Sequence, residues 1–259
     1  MSSFVVFRKQ PDTEGALRQY IGQRAVYSET LDISSRPGFQ LFLWSALRPE
    51  TCALHKEPTG GFAAVAGTFL YGDSEGREAL ELFYKQFDPT AIDLSGTNGH
   101  FALVIEKAGH CFVLNDRLGV WKLYGSQDGS FISAGFLETL LCAPSLSFHA
   151  QGLYEYVFNG HALGTNTPFQ EVMAAMPGKG FELTAELAIQ NIQHSVPLGR
   201  CPQDDPLSDL ETAAKGQVVA FKRIMKKYSG CVGKISSSLS GWFFIREQGA
   251  RPVCLRARY

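Results

Sequence analysis

The sequence lacks several things that would have narrowed its function at once. Its six cysteines, Cys52, Cys111, Cys142, Cys201, Cys231 and Cys254, include no C-x-x-C pair, so a zinc site or a dense disulfide framework is not expected and reduced thiols are. Its six histidines are dispersed, with no H-x-x-x-H or His-Cys spacing, so no metal is expected. Charge of either sign is not in excess: the formal net charge is −1, which gives no electrostatic reason to expect nucleic acid or an acidic membrane as partner. No apolar run approaches the roughly 20 residues needed to span a bilayer, and the start, "MSSFVVFRKQ", has neither the basic n-region nor the apolar core of a signal peptide. The expected location is the cytoplasm.

What is present reads as short strands with a few helices. "SFVVF", "FQLFLWSAL" and "FAAVAGTFLY" are strand candidates, and "EGREALELFYKQF" places Leu80, Phe83, Tyr84 and Phe87 at helical spacing. Three hairpins follow: Phe101–Glu106 with Cys111–Leu114 about "KAGH", one about Gln127-Asp128-Gly129, and "KGFELTAELAIQNIQH". "QGLYEYVFNG" reads as a helix closed by Asn159-Gly160. Phe101, Phe112, Trp121, Tyr124 and Phe131 are assigned to hairpin strands, where sheet packing explains them better than base stacking. The Pro-, Gly- and Asp-rich "PLGRCPQDDPLSD" reads as a linker. A long amphipathic helix capped by Ser208 or Asp209 follows, with "KRIMKK" on its solvated face, and then a strand over Cys231–Ser237.

Three segments, in order, resemble the asparagine synthase family. "GHFALVIEKAGHCFVLNDRLGVWKLYG" resembles the G-x-F-A…D-R-x-G-x-x-x-L-Y segment of its class II glutamine amidotransferase domain. "YEYVFNGHALGTNTPFQEVMAAMPGKGFEL" resembles the T-x-F…P-G segment that follows there, and "KISSSLSG" resembles the strand entering the S-G-G-x-D-S pyrophosphatase loop. The resemblance implies an α+β, four-layer αββα N-terminal nucleophile domain over residues 1–198. Residues 199–259 would form a linker and the helix-strand start of an α/β ATP-pyrophosphatase domain. The family's reaction is ATP-dependent amide formation, with ammonia released from glutamine by an N-terminal cysteine whose own amine acts as base.

At the sites the chain departs from the family. Ser2 stands where the cysteine belongs, leaving a weaker nucleophile. The family's Asn-Gly-Glu-x-Tyr loop aligns with "AGTFLY", so Ala66 replaces the oxyanion amide while Gly67 and Tyr71 remain. Arg48 is the candidate to grip the glutamine carboxylate, beside Gly67. Asp116 and Arg117 are assigned an architectural role, satisfying partners after a strand while Gly119 turns. Ser238, Ser240 and Gly241 are the remnant of the pyrophosphate loop; Trp242 takes its second glycine's place and no Asp follows. ATP and Mg²⁺ serve the intact family, and no cofactor is expected for this chain. The resemblance stops near Gly241, so a truncated, catalytically degenerate relative is expected. Two rivals stay open. One is a binding module holding a small amino acid or docking a protein partner or a second copy; the other is a Ser2-dependent hydrolase.

Overall fold

A computed structural model describes residues 2–46, 49–58, 60–183, 189–193 and 210–231. The chain divides into two compact units, residues 1–200 and 201–259. In the first, chain order runs β1 (Ser2–Arg8), α1 (Pro11–Gly22), β2 (Tyr27–Asp32), β3 (Phe39–Ser45), a 3₁₀ turn (Pro49–Thr51), β4 (Cys52–Lys56), β5 (Phe62–Tyr71), β6 (Ser74–Glu75), α2 (Gly76–Gln86), β7 (Thr97–Lys107), β8 (His110–Asn115), β9 (Tyr124–Ser126), β10 (Phe131–Ser133), α3 (Phe136–Cys142), α4 (Ala150–Asn159), β11 (Val172–Ala174), β12 (Lys179–Leu183) and β13 (Ile189–Gln193). In the second unit the described residues form α5 (Leu210–Cys231).

The strands build two antiparallel sheets. One has the order β11-β9-β10-β1-β3-β2; the other has the order β13-β12-β8-β7-β5-β4, with β6 on β5. Alternation along each strand sorts side chains to opposite faces, and this decides the layers. Phe4 and Val6 of β1 and Leu41 and Leu43 of β3 meet Phe62, Ala64 and Ala66 of β5 and Val113 of β8 in the core between the sheets. The alternate residues Val5, Phe7, Phe42 and Trp44 face outward onto Leu17 and Ile21 of α1 and Cys142 of α3. On the other sheet Ala63, Val65, Leu103 and Ile105 face outward onto Leu80 and Phe83 of α2. The result is an α+β sandwich with helices on both outer faces, the architecture expected for residues 1–198.

The β7–β8 hairpin turns through Ala108 and Gly109, both at positive φ (51° and 79°), the two-residue turn that suits the right-handed twist of its arms. Helix α4 ends at Gly160, which takes the left-handed conformation at φ 74°. Two expectations need correction. Trp121 lies in the β8–β9 connection, not on a strand. Cys231, expected to open a strand, is the last residue of α5. The proposed helix cap, the linker, and the pyrophosphate-loop residues Ser238, Ser240 and Gly241 lie outside the described residues, as does Arg48. Among the described residues no helix is long and apolar enough to cross a membrane.

Candidate functional site

Ser2 opens β1, an inner strand held by β3 on one side and β10 on the other. Its side chain shares the parity of Phe4 and Val6 and so faces the space between the sheets, whereas Ser3 shares the parity of Val5 and Phe7 and faces the helices. Both serines are more than nine-tenths buried. The neighbour that the sequence did not reveal is Cys52. It starts β4 opposite Ala66 and makes a side-chain hydrogen bond with Ser2, and its thiol donates to the Trp44 carbonyl oxygen at 3.0 Å. Burial pushes the Cys52 thiol up to about 12, against the Ser2 hydrogen bond, so it is a protonated thiol and not a ready nucleophile. Ser45, paired with Ser2 across the ladder, bonds Thr51 hydroxyl to hydroxyl at 2.8 Å. The floor at Ser2 is therefore a group of hydroxyls and one thiol.

The segment "AGTFLY", expected to correspond to an oxyanion loop, is the second half of β5. Ala66 is fully buried in the inter-sheet core. Gly67 has φ +110°, and a Cβ built there would lie 2.7 Å from the Trp121 ring and closer still to the His100 carbonyl oxygen. Only glycine fits this kink in β5. Trp121 is placed over it by Asp116, which is almost wholly buried at the end of β8. Asp116 Oδ1 accepts from the backbone N–H of Leu118 and of Val120, both at 3.1 Å, and Oδ2 accepts from that of Trp121 at 2.8 Å. The architectural role of Asp116 is thus in place; Arg117 is exposed. The indole Nε1 then donates to the Ala134 carbonyl oxygen at 3.2 Å, tying the ring to the end of β10.

A cavity of about 530 Å³ opens at this end of the sheet carrying β1. Ser2, Ser3 and Trp44 contribute from β1 and β3, Trp121, Lys122 and Tyr124 from the β8–β9 connection and β9, Tyr20 and Arg24 from α1 and beyond its end, and Phe136 and Glu138 from α3. Its charge is graded with depth. Arg24 and Lys122 are exposed, and the Arg24 guanidinium lies over the Tyr20 ring at 4.3 Å. Glu138 is buried at 6% exposure and its carboxylate packs against Gly135, where any side chain would collide with it. Burial raises the Glu138 carboxyl above its ordinary range, and its own backbone N–H offsets this in part. Burial also raises the Tyr20 phenol, with the nearby Glu138 charge adding to it.

No family model matches the chain, and no curated protein matches it. Two solved structures overlap with 76% of it at 10% identity: the glutamine phosphoribosylpyrophosphate amidotransferase from B. subtilis complexed with ADP and GMP, with a TM-score of 0.47, and one described as the allosteric regulatory enzyme of purine biosynthesis, with a TM-score of 0.46. The chain spans about half the length of each.

Of the candidates named from sequence, Ser2 lines the cavity and Gly67 does not contribute to its described lining; the Trp121 ring covers Gly67. The residues that sequence reasoning missed are Cys52, Ser3 and Glu138. A lone cysteine has no spacing to betray it, and only the packing of one sheet on the other brings Cys52 to Ser2. Glu138 reads as an ordinary acidic residue in the first turn of a helix, where it favours the helix dipole; its burial comes from packing against β10 and α1.

Proposed function

We propose that this chain is an asparagine-synthase-like protein whose amidotransferase-type domain does not hydrolyse glutamine and acts as a binding module around Ser2. What supports the family is the ordered set of three motifs, lying on β7–β8, on the stretch from α4 to β12, and ahead of Gly241. What supports the loss of hydrolysis is one observation above all: the Trp121 ring lies on Gly67, over the backbone that the family uses at its oxyanion site, while Ala66 offers no amide. Loss of a single oxyanion donor costs roughly 10²–10³ in rate. The nucleophile is in addition a serine hydrogen-bonded to a protonated thiol. The parent chemistry, ATP-dependent amide formation, would belong to the region that includes Ser238, Ser240 and Gly241; no step at the Ser2 site depends on ATP or Mg²⁺.

The test is ammonia release from L-glutamine by the full chain, after mass spectrometry has established that Met1 is removed. The expected result is no difference between wild type and Ser2→Ala. Ammonia release that disappears in Ser2→Ala would replace this reading with a Ser2-dependent N-terminal hydrolase.

A further inference from the structure

The cavity at Ser2 is lined on one side by Ser3 of β1, Tyr20 of α1 and Glu138 of α3. On the helix side, the Ser3 hydroxyl is buried without a partner, and the Glu138 carboxylate is buried without a lysine or arginine counter-charge among the described residues. The Ser3 hydroxyl oxygen has no hydrogen-bond partner, although Ser3 is 94% buried by its 6% exposure. The Glu138 carboxylate, equally buried, is held by its own backbone N–H, and among the described residues no lysine or arginine forms an ion pair with it. A buried donor or acceptor left unpaired destabilises the fold, and a buried charge without a counter-charge does so more. Such groups are retained where something else meets them.

The walls between these groups and the mouth are aromatic: Tyr20, Trp44, Trp121, Tyr124 and Phe136. Aromatic faces around a carboxylate attract an organic cation, because the ring quadrupole and the anion act in the same sense in a water-poor space. An anion would meet the opposite: repulsion from Glu138, with solvent-screened Arg24 and Lys122 as the cations among the described lining residues. Arg24 is moreover engaged with the Tyr20 ring and donates to the Tyr20 carbonyl oxygen at 3.4 Å. A volume of about 530 Å³ accommodates one small organic molecule.

We propose that this cavity binds a small aryl or branched-alkyl ammonium, its charged head seated against Glu138 and Ser3 and its apolar body between the rings of Tyr20, Trp44, Trp121, Tyr124 and Phe136. The proposal rests on the binding-module reading above and gives its ligand class. Ser3 Oγ accepts a hydrogen bond from the ammonium, Glu138 supplies the counter-charge, and the exposed rim cations favour ligands that carry their positive charge inward.

Trp44 and Trp121 line the cavity, so their fluorescence reports occupancy directly; a Trp242→Phe background removes the third tryptophan. The probes are 2-phenylethylammonium, benzyltrimethylammonium and, as the anionic counterpart of similar shape, phenylacetate, each titrated at constant ionic strength into the full chain. Saturable quenching by the two cations is expected, with phenylacetate at least tenfold weaker. Glu138→Gln, which keeps the shape, should weaken 2-phenylethylammonium at least tenfold. Ser3→Ala should weaken it about threefold and benzyltrimethylammonium less, since that cation donates no N–H. Glu81→Gln on the exposed face of α2 should change nothing, and melting curves verify that each variant is folded. Absence of saturable quenching, phenylacetate binding as well as the amines, or undiminished binding by folded Glu138→Gln would each overturn the proposal. Ser2-dependent ammonia release alongside intact amine binding would remove the non-hydrolytic reading alone and leave the ammonium site standing.

Discussion

Removing the Asp116 carboxylate tests how Trp121 comes to lie on Gly67. This side chain accepts three backbone hydrogen bonds in a nearly dry position, from Leu118, Val120 and Trp121. Hydrogen bonds to a charged group contribute roughly 1.5–3 kcal/mol each, and three sharing one carboxylate fall short of their sum, so Asp116→Ala should cost about 4 kcal/mol. Asp116→Asn keeps an oxygen for the Leu118 and Val120 N–H groups but presents an amide nitrogen to Trp121, and should cost about 1.5 kcal/mol. With a urea m-value of about 2 kcal/mol/M, the alanine variant's midpoint should fall by about 2 M and the asparagine variant's by less than 1 M. Urea unfolding followed by near-ultraviolet circular dichroism reads both the midpoint and the native signal of the Trp121 ring. The asparagine variant should lose part of that signal before denaturant is added. Midpoints within about 0.5 M of wild type for alanine, or identical midpoints for the two variants, would refute the reasoning, since either result means the carboxylate is not what holds the β8–β9 connection.

Further outcomes follow from the burial and packing described above. Gly67→Ala combines a φ of +110° with a collision against the Trp121 ring and the His100 carbonyl oxygen, and should cost more than about 3 kcal/mol, read from the thermal midpoint. Cys52, Cys111 and Cys142 all have thiols raised by burial, Cys52 and Cys142 to about 12. A raised thiol contributes stability that is fully present below the unfolded value near 9 and is lost as pH climbs toward 12, so urea midpoints should decline steadily above pH 9; native-state alkylation of Cys52 by iodoacetamide at pH 8 should be at least 100-fold slower than in urea. Glu138 is an acid raised by burial, so its contribution is greatest below its unfolded value near 4.5 and is lost as pH rises through the higher folded value. Glu138→Gln should therefore match wild-type stability at pH 4 and exceed it at pH 7, measured by denaturant midpoints at the two pH values.

The fold was legible where hydrophobic period and turn chemistry agreed. β5 matches "FAAVAGTFLY" residue for residue, and the β7–β8 arms extend the expected pairing by a few residues around the same turn. α1 was not read, although Pro11 sits at its first turn, because it buries little beyond Leu17 and Ile21 and carries Gly15 midway, which weakens any periodic signal. β2, "YSETLD", escaped because an edge strand needs few apolar residues. The site was less legible than the fold. Ser2 follows from position and Gly67 from alignment, but the role of Gly67 in the structure is a kink under an indole ring. Cys52 and Glu138 draw their character from burial and from the packing of separate elements, which are properties of the folded chain and leave no mark in local sequence.

The contact between Ser2 and Cys52 bears on what a cysteine at position 2 would do. Ser2→Cys would set a second sulfur directly against the first. Ser2 belongs to the sheet of β1 and Cys52 to the sheet of β4. Oxidation of that pair would weld the two sheets together at the floor of the site and consume the very thiol that had been introduced. A hydroxyl at position 2 keeps this corner inert to oxidants. In this chain, then, a cysteine at position 2 would bring redox vulnerability along with nucleophilicity, and serine is the residue that fits beside Cys52.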